Sequence, residues 1–341
     1  MSQDSYSRMI ARMNKNWAKH LESDALRDLL KELYTEEQAA LIADFPLGAH
    51  TSKQLSEMLG RDETELEQIL REMSENGLVF EAKNANGEQE YSVLAFEPGL
   101  IEMQFLKGKD DEKTRKMARL VSTMFEEERA AMKKVIENPE RITELNPEMM
   151  AELVKGPPAR VISVEESLST DKEVASWEKV SRMIENENSY AVGECGCKQI
   201  GKLNGQPCEA DAPSKCCIWF GKLADYLVEG GYATRSTKEE VFALVKRCQE
   251  GGLIQCTGNR NKDRAYVLCN CCKCCCVYLN TNKEVRDFGI SLMAVRFQAQ
   301  VDNENCTGCG ECVDLCQLEA LQLSDELVRV NEKYCIGCGV C

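Results

Sequence analysis

Between residues 35 and 94 the apolar positions follow a helical period three times and then switch to alternation. The stretch reads TEEQAALIADFPLGAHTSKQLSEMLGRDETELEQILREMSENGLVFEAKNANGEQEYSVL. One helix is predicted from about Glu36 to Asp44, and a second starts at a Thr51 cap. A third starts near Asp62 and ends at Asn76–Gly77. LVFEA, the NANGE turn and QEYSVL then predict a two-stranded wing. Three helices followed by a wing are the pattern of a winged helix-turn-helix. Next, DDEKTRKMARLVSTMFEEERAAMKKVIEN predicts a long charged helix with Met and Leu on one face. Pro139, Pro147 and KGPPARVISVEES break it, and this stretch is read as a linker.

Beyond the linker the pattern is mixed. YAVGE predicts a short strand ending at the first cysteine. STKEEVFALVKRCQEGGLIQ predicts a helix capped by Ser236 or Thr237, with Glu239 and Glu240 in its first turn and Gly251–Gly252 at its end. Val241, Leu244, Val245 and Cys248 share its apolar face, which makes Cys248 a core thiol. Cys256 falls on a following strand and is ambiguous between core and ligand.

The expected architecture is multidomain α+β. A helical lead-in and winged helix would occupy 1–108, a helix and linker 109–160, a cysteine-rich α+β domain 161–285, and a bacterial-type 2[4Fe–4S] ferredoxin domain 286–341.

Charge changes the picture of the N-terminal third. The net charge is −15, which disfavours nucleic acid and anionic membranes as partners. The would-be recognition helix carries Asp62, Glu63, Glu65, Glu67, Glu72 and Glu75 against Arg61 and Arg71. Phosphate contacts need Lys or Arg, so this face is expected to dock protein and not DNA. No apolar run reaches the roughly 18 residues of a spanning helix, and the N-terminus has no apolar signal core. A cytoplasmic protein without membrane insertion is expected. His20 and His50 sit in polar contexts without ligand spacing, and there is no catalytic triad, phosphate loop or dinucleotide fingerprint.

The cysteines carry the chemistry. None of the 20 precedes Cys195; thirteen lie between Cys195 and Cys276 and seven between Cys306 and Cys341. In a chain without an export signal, dense thiols point to metal and not to a disulfide framework. CTGCGECVDLCQLEA places Cys306, Cys309, Cys312 and Cys316 in the order C-x2-C-x2-C-x3-C. That is the bacterial ferredoxin run, whose first three thiolates wrap one cube while the fourth reaches the other. Gly308 and Gly310 allow the backbone to bend between ligands. CIGCGVC then supplies Cys335, Cys338 and Cys341. Zinc is the competing metal, but the doubled x2 spacing favours two [4Fe–4S] clusters. Gln317 stands where ferredoxins usually carry Pro and is discounted as a turn residue. Cys316 with Cys335, Cys338 and Cys341 would complete one cluster. Cys306, Cys309 and Cys312 would then draw a fourth ligand from a few residues past Cys341, so the domain reads as truncated.

The central region offers Cys195, Cys197, Cys208, Cys216 and Cys217, and then LCNCCKCCCVYL with Cys269, Cys271, Cys272, Cys274, Cys275 and Cys276. Soft thiolates suit iron–sulfur clusters, zinc or Cu(I). Six thiols in eight positions exceed the needs of one cube, and a scavenging tract is the bland alternative. Adjacent side chains on an extended segment point apart and alternate ones align. The segment is therefore expected to serve two central sites, with Cys269 and Cys271 on one row and Cys272, Cys274 and Cys276 on another. One or two central clusters are expected.

These phrases together resemble a family of anaerobe 4Fe–4S proteins with an N-terminal winged helix, a central cysteine-rich domain and a C-terminal two-cluster ferredoxin domain. PLGAHTSKQLSEMLG, MSENGLVF and YSVLAFEPGLIEMQF carry the likeness at the N-terminal end. GECGCK, TKEEVFALVKRCQEGGLIQ and LCNCCKCCC carry it in the centre, and CTGCGECVDLC with CIGCGVC at the C-terminal end. The resemblance implies a central four-thiolate set of Cys195, Cys197, Cys208 and Cys217, with Cys216 as an extra thiol. It also implies electron transfer beside larger oxidoreductase complexes, with protein redox partners. Two alternatives stand beside an electron-transfer subunit. One is a redox-sensing winged-helix regulator. The other is a catalytic subunit with an unusual cluster at residues 269–276.

Overall fold

The computed structural model describes residues 4–16, 20–138, 157–168, 174–259, 265–287 and 291–341. The chain divides into two compact units: Met1–Val154 with Tyr226–Tyr232, and Lys155–Asp225 with Ala233–Cys341.

The first unit opens with two helices, α1 (Ser5–Met13) and α2 (Asp24–Leu33). Then come α3 (Glu36–Asp44), α4 (Ser52–Leu59) and α5 (Glu63–Glu75). Their starts are written locally. Thr35 and Gln38 form a reciprocal capping box, Thr51 and Gln54 repeat it, and Asp62 accepts from the Glu65 amide. Strands β1 (Phe80–Lys83) and β2 (Gln89–Ser92) follow as an antiparallel hairpin. A short α6 (Ile101–Phe105) leads to α7 (Glu112–Glu137). Leu26, Leu30, Ile42, Leu55, Leu66, Leu70 and Met73 are fully buried and form the core of this unit.

His20 departs from the expected polar setting. It is 3% exposed and its Nδ1 lies 2.8 Å from the Glu128 carboxylate on α7. Burial alone would push its pKa down, but the Glu128 carboxylate, with Glu97 and Glu102 farther off, holds it up to about 9.

The second unit is built on a seven-stranded sheet in the order β6-β4-β5-β8-β7-β3-β9. The strands are β3 (Ala159–Ile162), β4 (Tyr190–Gly193), β5 (Cys217–Phe220) and β6 (Thr234–Ser236). They continue with β7 (Ile254–Gly258), β8 (Val267–Cys271) and β9 (Met293–Ala294). All ladders are antiparallel except β3 with β9. β3 corrects the linker reading. Ala159–Ile162 lies inside KGPPARVISVEES, yet all four residues are buried between β7 and β9. Val161 and Ile162 favour a pleated surface, and their partners are distant in sequence, so only the folded sheet reveals them. Pro139 and Pro147 lie outside the described residues.

The helices between these strands are α8 (Val180–Glu185), α9 (Gly196–Leu203), α10 (Gly221–Glu229), α11 (Lys238–Glu250) and α12 (Val277–Arg286), of which α8, α11 and α12 bury apolar side chains against the sheet. Thr237 is the cap of α11, in a capping box with Glu240. The C-terminal stretch adds α13 (Glu311–Leu315) and the hairpin β10 (Leu321–Ser324) with β11 (Leu327–Val330). Among the described residues no helix is long and apolar enough to cross a membrane.

Candidate metal centres

All twenty cysteines are free thiols and all fall in the second unit. The sheet sorts the central ones. β8 delivers Cys269 and Cys271, a turn follows with Cys272, Cys274 and Cys275, and Cys276 caps α12. The turn is closed by the Cys276 amide donating to the Cys272 carbonyl at 3.1 Å. The expected extended row of Cys272, Cys274 and Cys276 is thereby broken, because the backbone stops being extended at Cys271.

One thiol set is compact. The sulfurs of Cys208, Cys272, Cys274 and Cys275 all lie within 4.8 Å of one another. Cys208 Sγ is 3.5 Å from Cys272 Sγ and 3.6 Å from Cys274 Sγ, and Cys274 and Cys275 are 3.7 Å apart. Cys208 arrives on the loop after α9, which the Gln206 amide ties to the Gly201 carbonyl at 2.8 Å. The Glu209 amide donates to Cys274 Sγ at 3.4 Å. Further amide donors come from Ala210 to Cys208 and from Cys275 to Cys272. Protons are unevenly held. The Cys275 thiol, donating to Cys272, brings Cys272 down to about 6, while burial pushes Cys208 up to about 12.

The other set is a buried chain of contacts. Cys195 caps α9 and touches Cys197 and Cys216, and Cys216 touches Cys248. Cys197 touches Cys276, which touches Cys271. Cys271 touches Cys256 and Cys269, and Cys269 touches Cys217. Cys195 and Cys276 are both helix N-caps, each beside the first-turn amides, and the Lys198 and Leu279 backbone favours their thiolates. Their thiols are held well below the usual range, first by contact with the proton-retaining Cys197 thiol that both touch. Cys269 is brought down to about 5, first by its bond from Cys217. A helix N-terminus favours the thiolate for the same electrostatic reason.

The set implied by the resemblance is therefore divided. Cys208 joins Cys272, Cys274 and Cys275, while Cys195, Cys197 and Cys217 belong to the buried chain. The neighbours Cys271 and Cys272 part into different sets, but the neighbours Cys274 and Cys275 meet in one, because the turn rotates both side chains to the same side. Cys216, set aside as extra, and Cys248 and Cys256, read as core or ambiguous, are all in thiol–thiol contact.

Lys198 was not singled out in the sequence. It is 3% exposed, and its ammonium donates to the Pro213 carbonyl at 2.8 Å. It sits in the field of Cys216, Cys208, Cys195 and Cys272, the sulfurs raising its pKa against the lowering effect of its own burial. A buried cation is costly unless paired, and these sulfurs are offered as its counter-charge. Its place directly after Cys197 in GECGCK was the available signal.

The C-terminal thiols fall into a trio, Cys306, Cys309 and Cys312, and a quartet in which Cys316 sits with Cys335, Cys338 and Cys341. Cys312 feels the charges of Cys309 and Cys306. Cys338 feels those of Cys341, Cys316 and Cys335, and burial pushes it up to about 12. Backbone amides point at sulfur here too, Ala299 to Cys335 at 3.3 Å and Ala320 to Cys316 at 3.2 Å. Gln317 has a role after all: its Oε1 accepts the Lys273 amide at 3.1 Å and so braces the central thiol turn. A proline there could not do this.

Thiols packed against thiols, amide N–H groups aimed at sulfur and a buried lysine in the field of the sulfurs fit anionic metal centres. The 4Fe–4S binding domain family matches residues 299–322, which covers Cys306, Cys309, Cys312 and Cys316. This thiol chemistry and the family match over the C-terminal cysteines support an iron–sulfur protein. No curated protein and no solved structure matches the chain.

Proposed function

We propose that this protein relays single electrons through [4Fe–4S] clusters to or within a larger oxidoreductase complex. The observation that carries this reading is a single packed cluster of buried residues. In it Ile336 of the CIGCGVC loop packs with Cys256 of the sheet and Cys276 at the start of α12, and the half-buried Cys338, Cys269 and Cys271 lie against it. Ferredoxin-type and central thiols thus share one water-poor interior, a short path for electrons. Bound clusters supply the one-electron couple. The chain's own part is to hold thiolates, aim amides at sulfur, and exclude water, which together set potentials. Cys306, Cys309, Cys312, Cys316, Cys335, Cys338 and Cys341 would hold the C-terminal clusters. The buried chain from Cys195 to Cys217 would hold a central one.

In this reading α3 to α5 with the β1–β2 hairpin form a winged helix that docks a protein partner. Arg71 on its acidic helix pairs with Glu67 at 2.8 Å, and Arg61, just before that helix, pairs with Glu37 at 2.5 Å. Little cationic charge is left for phosphates. An anaerobic, reducing cytoplasm suits twenty free thiols.

Protein purified without oxygen should contain iron and acid-labile sulfide in near-equal amounts. It should take up electrons stepwise from a low-potential one-electron donor and pass them to an added one-electron acceptor. Iron and sulfide without reversible electron uptake would overturn the proposal. Co-purification from an anaerobic lysate identifies the partner.

A further inference from the structure

The compact quartet differs in kind from the ferredoxin thiols. Four sulfurs placed tetrahedrally at about 2.3 Å around one ion stand about 3.8 Å apart. The 3.5, 3.6 and 3.7 Å separations among Cys208, Cys272, Cys274 and Cys275 match that figure. A [4Fe–4S] cube places its own core between the thiolates and forces them well beyond it. Among the described residues no set of C-terminal thiols gathers within 4.8 Å, although the cluster-binding motif lies there. One fold therefore holds two spacings, a wide one where the cluster motif is and a narrow one in the centre.

We propose that Cys208, Cys272, Cys274 and Cys275 bind a single zinc ion as a structural tetrathiolate site. The Glu209 amide donates to Cys274 Sγ at 3.4 Å, as an anionic thiolate requires. The Lys198 ammonium lies in the field of Cys208 and Cys272 and offsets part of the negative charge. With four identical soft ligands the Irving–Williams order places Zn²⁺ above Fe²⁺. Zinc is redox-inert, so this site lies off the electron path. Its task is mechanical. It ties the loop after α9 to a turn 64 residues later, a tie that the sheet's own ladders do not make.

The test is metal analysis and zinc-edge X-ray absorption on the full-length chain, purified anaerobically. The expected result is one zinc per chain beside the iron, in a shell of four sulfurs with no second metal nearby. Cys274→Ser should lose that zinc and keep its acid-labile sulfide, whereas Cys312→Ser should lose iron and sulfide and keep zinc. A zinc-free wild-type protein, zinc bound through nitrogen or oxygen, or a single sulfide-free iron at the quartet would overturn the proposal. So would loss of sulfide in Cys274→Ser. If Cys274→Ser does not fold, the wild-type zinc content and absorption spectrum decide alone. Failure of electron relay would show instead as iron that does not cycle, whatever the zinc content.

Discussion

Gly337, in the CIGCGVC loop, tests how tightly the ferredoxin-type segment is fitted to the central sheet. Its φ is +59°, and a Cβ there would sit 1.9 Å from the Phe297 carbonyl oxygen, against 3.4 Å for ordinary contact. The obstacle is backbone and not a flexible side chain. Gly337→Ala therefore incurs about 1–2 kcal/mol for the left-handed conformation, and it also forces the two chain segments apart. Three contacts are at risk. The Ser163 hydroxyl donates to the Gly337 carbonyl, the Val164 amide to the Cys338 carbonyl at 2.9 Å, and the Ala299 amide to Cys335 Sγ at 3.3 Å. At about 1 kcal/mol for each of one or two lost bonds, the total is about 2–4 kcal/mol. Gly310 is the control. Its φ is +82° and nothing lies within 4 Å, so Gly310→Ala carries the conformational cost alone. Anaerobic urea titrations followed by visible cluster absorbance, with iron and sulfide counted per chain, compare the two. Gly337→Ala should lose its absorbance at clearly lower urea than Gly310→Ala. Equal midpoints would refute the claim that the Phe297 backbone confines this loop.

Cys316→Ser should damage the centre served by Cys335, Cys338 and Cys341, since Cys338 and Cys341 both lie in the field of Cys316; spectroscopic loss confined to the Cys306–Cys312 side would count against it. The His20–Glu128 pair should stabilise the protein by about 3 kcal/mol, the worth of a pKa raised from 6.5 to about 9. Because the folded-state value is the higher one, that stability is present in full below pH 6.5 and is lost as pH rises through about 9. Glu128→Gln should therefore melt lower than the parent at neutral pH and match it above that range, and a constant difference across pH would reject the pair. A gel shift with mixed genomic DNA at physiological salt should show no retarded complex, and tight sequence-specific binding would favour a regulator over an electron carrier.

Features specified by residues close together in the chain were legible without the fold. The ferredoxin run needs only Cys306, Cys309, Cys312 and Cys316 within one tight loop, so its spacing declares its ligand. The helix starts at Thr35, Thr51, Asp62 and Thr237 are likewise written within four residues, and each cap forms where its side chain predicts. The central thiols are another matter. Their density announced metal, but their partners depend on β5, β7 and β8 lying side by side and on a turn that abandons the extended backbone at Cys271. Alternation along a strand could separate Cys271 from Cys272, but it could not bring Cys208 to Cys274. The same holds for Lys198, Gln317 and the strand at Ala159–Ile162, each of which draws its role from residues far away in sequence. Contacts of high sequence separation leave no period in the chain. They arise from which faces the sheet buries together, and that choice belongs to the packing of the whole unit.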